Sequence, residues 1–361
     1  MNSEALDVLI DCQNVWKIFG ERSEEAIKAI RERGLAKRDV LRDYNCVVGV
    51  SDASFQIRKG EIFCIMGLSG SGKSTLVRLL NRLIEPSMGK VAIKGRDISA
   101  MGRKELRELR AHEIGMVFQS VALIPGRSVL DNAAFGLEVQ GVSRGERHRV
   151  ALDALSRVGL ADWAHHLPRQ LSGGMQQRVG LARAIASDPE IILMDEPFSA
   201  LDPLIRKQLQ DEFRQLTKSL GKSAVFITHD LDEAMRIGDR IAIMKDGMMI
   251  QQGTAEEIVL HPADAYVAEF VAGISRLHLV KAHSLMGPLS GFAPEVLSRL
   301  PRSSPETDVQ GLIDLVLSTP DQAVAIAEAG EDLGVVTARA LLQGIRGEGT
   351  PAAAAPVEDL A

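Results

Sequence analysis

The run GLSGSGKS at residues 67–74 has the spacing G-x-x-x-x-G-K-[ST], and it stands between the apolar stretch IFCIM and the helix-forming stretch STLVRLLNRL. Glycines let consecutive backbone N–H groups turn inward around phosphate oxygens, and the following helix adds the positive end of its dipole. Lys73 would neutralise the outer phosphates, and the Ser74 hydroxyl would serve Mg²⁺. Gly67, Ser69, Gly70, Ser71, Gly72, Lys73, Ser74 and Thr75 are therefore the candidate nucleotide contacts of this loop and of the first turn after it. A second group complements the first. The hydrophobic run IILM ends in Asp195 and Glu196. A buried strand ending in two carboxylates delivers them to the edge of a sheet where phosphates bind. Asp195 would hold a hydrated Mg²⁺, and Glu196 would accept a proton from an attacking water. Alone, an Asp-Glu pair after a strand is a helix cap. Paired with the phosphate loop it is a hydrolytic site for ATP.

Phosphate loops serve many chemistries, and a third run narrows the class. LSGGM at 171–175 is followed by QQRVGLARAIASDPEIILMDEP. Ser172, Gly173 and Gly174 place a hydroxyl and backbone donors at a helix start, where a γ-phosphate can bind. This arrangement resembles the ABC ATPase family, whose signature lies shortly before the second acidic motif. Met175 stands where the commonest form of that signature has glutamine, which leaves the donors intact.

The resemblance implies roles for further residues. In the family the signature meets ATP held by the phosphate loop of a partner subunit, so the chain is expected to work as a homodimer. Gln119, in MVFQS, matches the loop glutamine that senses Mg²⁺ and water and links to the membrane partner. Asp202 closes the SALD loop that runs across the dimer interface. His229, in THDLDEA, matches the switch histidine on the γ-phosphate. Phe19, in KIFG, matches the aromatic that stacks on adenine, with a core phenylalanine as the alternative. Catalysis is thus expected from Lys73, Gln119, Glu196 and His229, and metal binding from Ser74, Gln119 and Asp195.

Over about residues 8–272 the chain is similar to ATP-binding subunits of the glycine betaine/proline and choline importers. The stretches MGLSGSGKSTLVRLLNRLIEPSMGKV and MVFQSVALIPGRSVLDNAAFGLEVQGV carry the likeness, as do DEPFSALDPLIR and HDLDEAMRIGDRIAIMKDG. The resemblance implies an importer motor for quaternary amines on the cytoplasmic face of the inner membrane. Its implied partners are membrane permease subunits and an extracytoplasmic binding protein. An importer of another amino-acid-like solute, or a soluble ABC ATPase outside transport, is the alternative.

Elements must position these groups. Apolar strands alternating with helical stretches imply an α/β fold, a mostly parallel sheet with helices on its faces. An ATPase domain is expected over 1–275, with a helical subdomain inserted at about 120–188 and an antiparallel β subdomain at the N-terminus. Residues 21–45 form a charged insert with a weak apolar stripe, expected to be a solvated excursion. Residues 276–346 read as a truncated CBS-like α/β appendage, because AVAIAEAGEDLGVVTARALLQGI resembles one half of such a pair with a strand, a turn and a closing helix. The Ala/Pro-rich 347–361 reads as a disordered tail.

Composition bounds the rest. The 361 residues are 45% hydrophobic and 25% charged, enough for a core under an ordinary surface, and the net charge of −6 gives no footprint for nucleic acid. Three scattered cysteines, Cys12, Cys46 and Cys64, suit reduced thiols rather than a disulfide framework. The start MNSEALDVLIDCQNVW lacks the pattern of a secretory leader, and no run of 18 apolar residues predicts a membrane span.

Overall fold

The structure is a computed structural model that describes residues 8–119, 121–199 and 201–346. The chain divides between Gln252 and Gly253 into two compact units.

In the first unit, β1 (Val8–Phe19) and β2 (Val47–Arg58) pair antiparallel, and with β4 (Met88–Ile93) and β5 (Arg96–Asp97) make a four-stranded sheet ordered β2-β1-β4-β5. Between β1 and β2 lie α1 (Ser23–Arg33) and α2 (Lys37–Tyr44), which make up the charged insert. The insert is not a solvated excursion. Ala26, Ile27 and Val40 are buried in one cluster with Trp16, Ile18 and Val48 of the flanking strands and with Cys46. Its weak stripe is enough because the strands supply the larger apolar partners.

A second sheet is ordered β10-β9-β3-β8-β7-β6, built from β3 (Ile62–Met66), β6 (Ile114–Val117), β7 (Ile191–Asp195), β8 (Ser223–Thr228), β9 (Arg240–Lys245) and β10 (Met248–Gly253). Strands β6, β7, β8, β3 and β9 are parallel, each to the next in that order. Every residue of β3, β7 and β8 is buried, which explains why these runs show no alternation in the sequence. Helices α3 (Lys73–Leu80), α4 (Arg103–His112), α9 (Pro203–Ser219) and α10 (Leu231–Ile237) are interleaved with these strands. Phe198, Phe213 and Phe226 pack together, with ring centroids 5.8–6.4 Å apart. Between β6 and β7 the chain leaves the sheet for α5 (Val129–Ala133), α6 (Phe135–Val139), α7 (Arg144–Arg157) and α8 (Gly173–Ala186).

The second unit has its own core around Val280, Leu285, Leu312, Val324, Ile326 and Val336. A three-stranded sheet, β11 (Arg302–Ser303), β12 (Ala323–Glu328) and β13 (Glu331–Thr337), is followed by the helix Ala338–Arg346. The expected strand and turn at 323–337 is thus a hairpin. The boundary also falls earlier than residue 275. Leu260, at the end of the helix Ala255–Leu260, packs on the second core, and Glu256 accepts from the Lys281 amide at 2.7 Å. The helix is therefore held by contacts that sequence texture does not reveal. Residues 347–361, expected as a tail, lie outside the described residues, as do Ser120 and Ala200.

Candidate active site

Strand order is what assembles the site. Gly67 follows β3, His229 follows β8, Glu196 follows β7, and Gln119 lies two residues past β6. Because β3, β8, β7 and β6 are consecutive and parallel, all four segments leave the same carboxyl edge of the sheet, side by side.

The phosphate loop requires its glycines. Gly72 has φ +105°, and a Cβ there would lie 2.1 Å from the Gly49 carbonyl oxygen. Gly67 is equally confined, 2.2 Å from the Met244 carbonyl oxygen. We expect Gly72→Ala to cost about 2–3 kcal/mol of stability through strain and clash, with ATP affinity falling more than about tenfold as the cradle distorts. Thermal melting and titration with a fluorescent ATP analogue check both, and an unchanged affinity would remove the loop from the binding site.

Lys73 is 5% exposed, and its Nζ donates to the Gly67 and Leu68 carbonyls at 2.8 and 3.1 Å. Glu196 lies 3.9 Å from the same nitrogen. Burial lowers the Lys73 pKa, and the Glu196 and Asp195 carboxylates oppose that shift. Ser71 Oγ is buried without a hydrogen-bond partner, a donor left over for a ligand at the loop.

The two carboxylates have separate surroundings. Asp195 is 3% exposed, accepts from Ser74 Oγ at 2.7 Å and lies 3.6 Å from Arg78 Nη2. Glu196 has φ +45°, a left-handed conformation uncommon for a side chain of its size. Its amide donates to the Ile227 carbonyl at 3.1 Å, and its Oε2 lies 3.0 Å from His229 Nδ1. A strained carboxylate held between an ammonium and an imidazole is suited to proton transfer from water.

The remaining expected residues are placed as follows. Gln119 is exposed, and among the described residues it makes no hydrogen bond to Ser74, Asp195 or Glu196. Phe19 is 40% exposed at the end of β1, which rules out the core alternative. A Cβ on Gly49 would lie 2.9 Å from its ring, and Thr75 Cγ2 is also near, so the ring edges the phosphate loop. The signature hydroxyl, that of Ser172, caps α8 by accepting from the Met175 amide at 3.3 Å. Gly173 and Gly174 stand beside Leu201 and Ile205, and no hydrogen bond among the described residues joins Ser172 to the phosphate loop of the same chain. Asp202 caps α9 by accepting from the Leu204 amide at 2.9 Å.

One residue was not read from the sequence. Arg206 donates to the Ser199 and Leu201 carbonyls at 3.1 and 3.2 Å and to Asp230 Oδ2 at 3.4 Å. It ties Ser199 and Leu201 to Asp230, the neighbour of His229. An arginine one turn into a helix carries no local signal for such a link.

Residues 50–199 match the family described as ABC transporter. The glycine betaine/proline betaine transport system ATP-binding protein ProV of Escherichia coli is 52% identical over 301 residues, 81% of this chain and 75% of ProV. The trimethylamine N-oxide transport system ATP-binding protein TmoW of Ruegeria pomeroyi is 45% identical over 328 residues, 91% of this chain and 94% of TmoW. Among solved structures, a dimeric ATP-binding cassette in a post-hydrolysis state bound to ADP and Pi superposes with a TM-score of 0.57. It is 33% identical and covers 68% of this chain and 98% of that one.

Proposed function

The chain belongs to the family of ABC transporter ATP-binding subunits, in the glycine betaine/proline betaine group, and we propose from that premise how its site performs the work. It is the ATP-hydrolysing, energy-coupling subunit of an importer for quaternary amines. The observation that carries the mechanism is the convergence of residues 67–75, 195–196 and 229 at one sheet edge.

Water attacks the γ-phosphorus in line, the bond to the bridging oxygen breaks, and ADP and inorganic phosphate leave. Glu196 Oε takes the proton of the attacking water. Lys73 stabilises charge on the outer phosphate oxygens, and His229, hydrogen-bonded to Glu196, contacts the γ-phosphate. The phosphate loop holds the α- and β-phosphates through its backbone N–H groups, and Phe19 offers its exposed ring to adenine.

The residues present fit Mg²⁺. Ser74 Oγ and Asp195 Oδ1 already face each other at 2.7 Å, and Gln119, two residues past the neighbouring β6, would add an amide oxygen. Among the described residues no cluster of three or more His, Cys, Asp or Glu could hold a metal alone. Mg²⁺ is usually shared between a few protein oxygens and substrate phosphates, so this sparse oxygen set suits it. When bound, the ion supplies charge neutralisation at the phosphates.

Two copies would sandwich ATP, with Ser172, Gly173 and Gly174 of each completing the other's site and Asp202 at the contact. Beside Gln119 a cleft of about 570 Å³ is lined by Phe118, Ile124, Phe135, Val139, Arg107 and Arg183. Its lining of apolar and basic residues suits a short segment of a membrane permease, which the Gln119 loop would couple to hydrolysis. No helix among the described residues is long and apolar enough to cross a membrane. We place the subunit peripherally on the cytoplasmic face of the inner membrane, with an extracytoplasmic binding protein delivering the solute. Residues 276–346, read as a truncated CBS-like region, keep their hairpin and closing helix in that reading.

A second solute reading has one observation in its favour. The likeness to TmoW extends over 94% of that protein, whereas 75% of ProV is covered, so trimethylamine N-oxide joins the solutes to test. Deleting the gene is expected to abolish uptake of labelled glycine betaine, proline betaine or choline, or of trimethylamine N-oxide on the second reading. Unchanged uptake of all four would overturn the importer assignment.

A further inference from the structure

The insert at 21–45 reaches the nucleotide site. Lys37, the first residue of α2, donates from Nζ to the Gly70 carbonyl at 3.1 Å. Gly70 is at the tip of the phosphate loop with φ +77°, and a Cβ there would meet nothing within 4 Å. The tip therefore has open space around it, and the ammonium from a distant segment is a lateral tether on it.

The helix that carries that ammonium is packed in place. Val40 of α2 is fully buried with Trp16 and Val48, and Arg22 stacks on Tyr44 at 4.8 Å from the ring centroid. Arg33 also donates to the Tyr44 hydroxyl. The insert leaves β1 directly after Phe19 and returns to β2 at Val47, which pairs with Phe19. One small packed body thus springs from the proposed adenine platform and ends on the phosphate loop.

The chemistry follows from the loop's peptide planes. The Gly70–Ser71 peptide is held on both sides, its carbonyl accepting from Lys37 and its N–H donating to the Leu68 carbonyl at 3.2 Å, which fixes the plane of the loop tip. Lys73 holds the carbonyls of Gly67 and Leu68, and Lys37 holds that of Gly70. We propose that the insert braces the nucleotide site and that Lys37 is a positioning residue, keeping the phosphate loop in its phosphate-accepting conformation. The inference rests on the ATPase reading above and adds a part that the phosphate-loop motif does not contain.

The test uses the full chain with Lys37→Met and Lys37→Arg. With Lys37→Met, KM for ATP and the Kd values of ATP and ADP are expected to rise about threefold to fivefold, because the loop tip loses a preorganising contact rather than a contact to nucleotide. The kcat is expected to fall less than roughly twofold, because the tether touches no reacting atom. Lys37→Arg restores most of the affinity, and the melting temperature without nucleotide stays within about 2 °C, since one exposed hydrogen bond to a backbone carbonyl adds little to stability. Unchanged affinity in Lys37→Met would overturn the proposal. So would a large fall in melting temperature shared by both variants, which would make the lysine merely structural. Failure of the unaltered chain to hydrolyse ATP would instead count against the motor reading, while the ADP and ATP binding arms still decide the role of Lys37.

Discussion

Glu196→Gln is expected to bind ATP about as tightly as the unaltered chain and to hydrolyse it at least about a hundredfold more slowly, the usual scale of a lost general base. The amide keeps the size and backbone of the carboxylate but cannot take a proton. It also leaves His229 Nδ1 and Lys73 without their charged neighbour, at 3.0 and 3.9 Å. Both changes act on the chemical step, whereas the phosphate loop's contacts to ATP stay in place. The variant should therefore collect as an ATP-bound dimer, read by size-exclusion chromatography with ATP present. Turnover near that of the unaltered chain would exclude Glu196 as the base and shift the role to another group at the strand ends.

Lys73→Ala is expected to lose ATP affinity by about a hundredfold and turnover by about a thousandfold, because one positive charge vanishes from a confined site. The lost ammonium has three functions in the structure. It donates to the Gly67 and Leu68 carbonyls, it faces Glu196, and its charge would neutralise the outer phosphates. Without it, Asp195 and Glu196 are left to repel a triphosphate. Nucleotide titration and steady-state hydrolysis separate the two losses. Affinity within about threefold of the parent would mean that the loop amides alone bind the phosphates.

These two residues differ in how they could be found. Lys73 belongs to eight consecutive positions whose chemistry is local, since contiguous backbone N–H groups, one cation and one hydroxyl act together. Such a motif is legible because the peptide chain itself sets the distances. Glu196 was identified by standing after a buried strand and beside Asp195. Its left-handed backbone and its contacts with Lys73 and His229 come from three strands meeting, and no spacing along the chain encodes them.

The α/β class, the fully buried strands, the phosphate loop and the family of the chain were all legible in the order of its residues. Each depends on hydrophobic period or on contiguous positions, which local chemistry fixes. The order β3-β8-β7-β6 that aligns the loop ends, the exposure of Phe19 and the reach of Arg206 to Asp230 emerged only from the folded chain. Folding also set the unit boundary at Gln252, packed the insert on its flanking strands and brought Lys37 to the Gly70 carbonyl. Those features depend on which distant faces cover one another. A weak apolar stripe such as Ala26, Ile27 and Val40 acquires meaning only when Trp16 and Val48 lie against it.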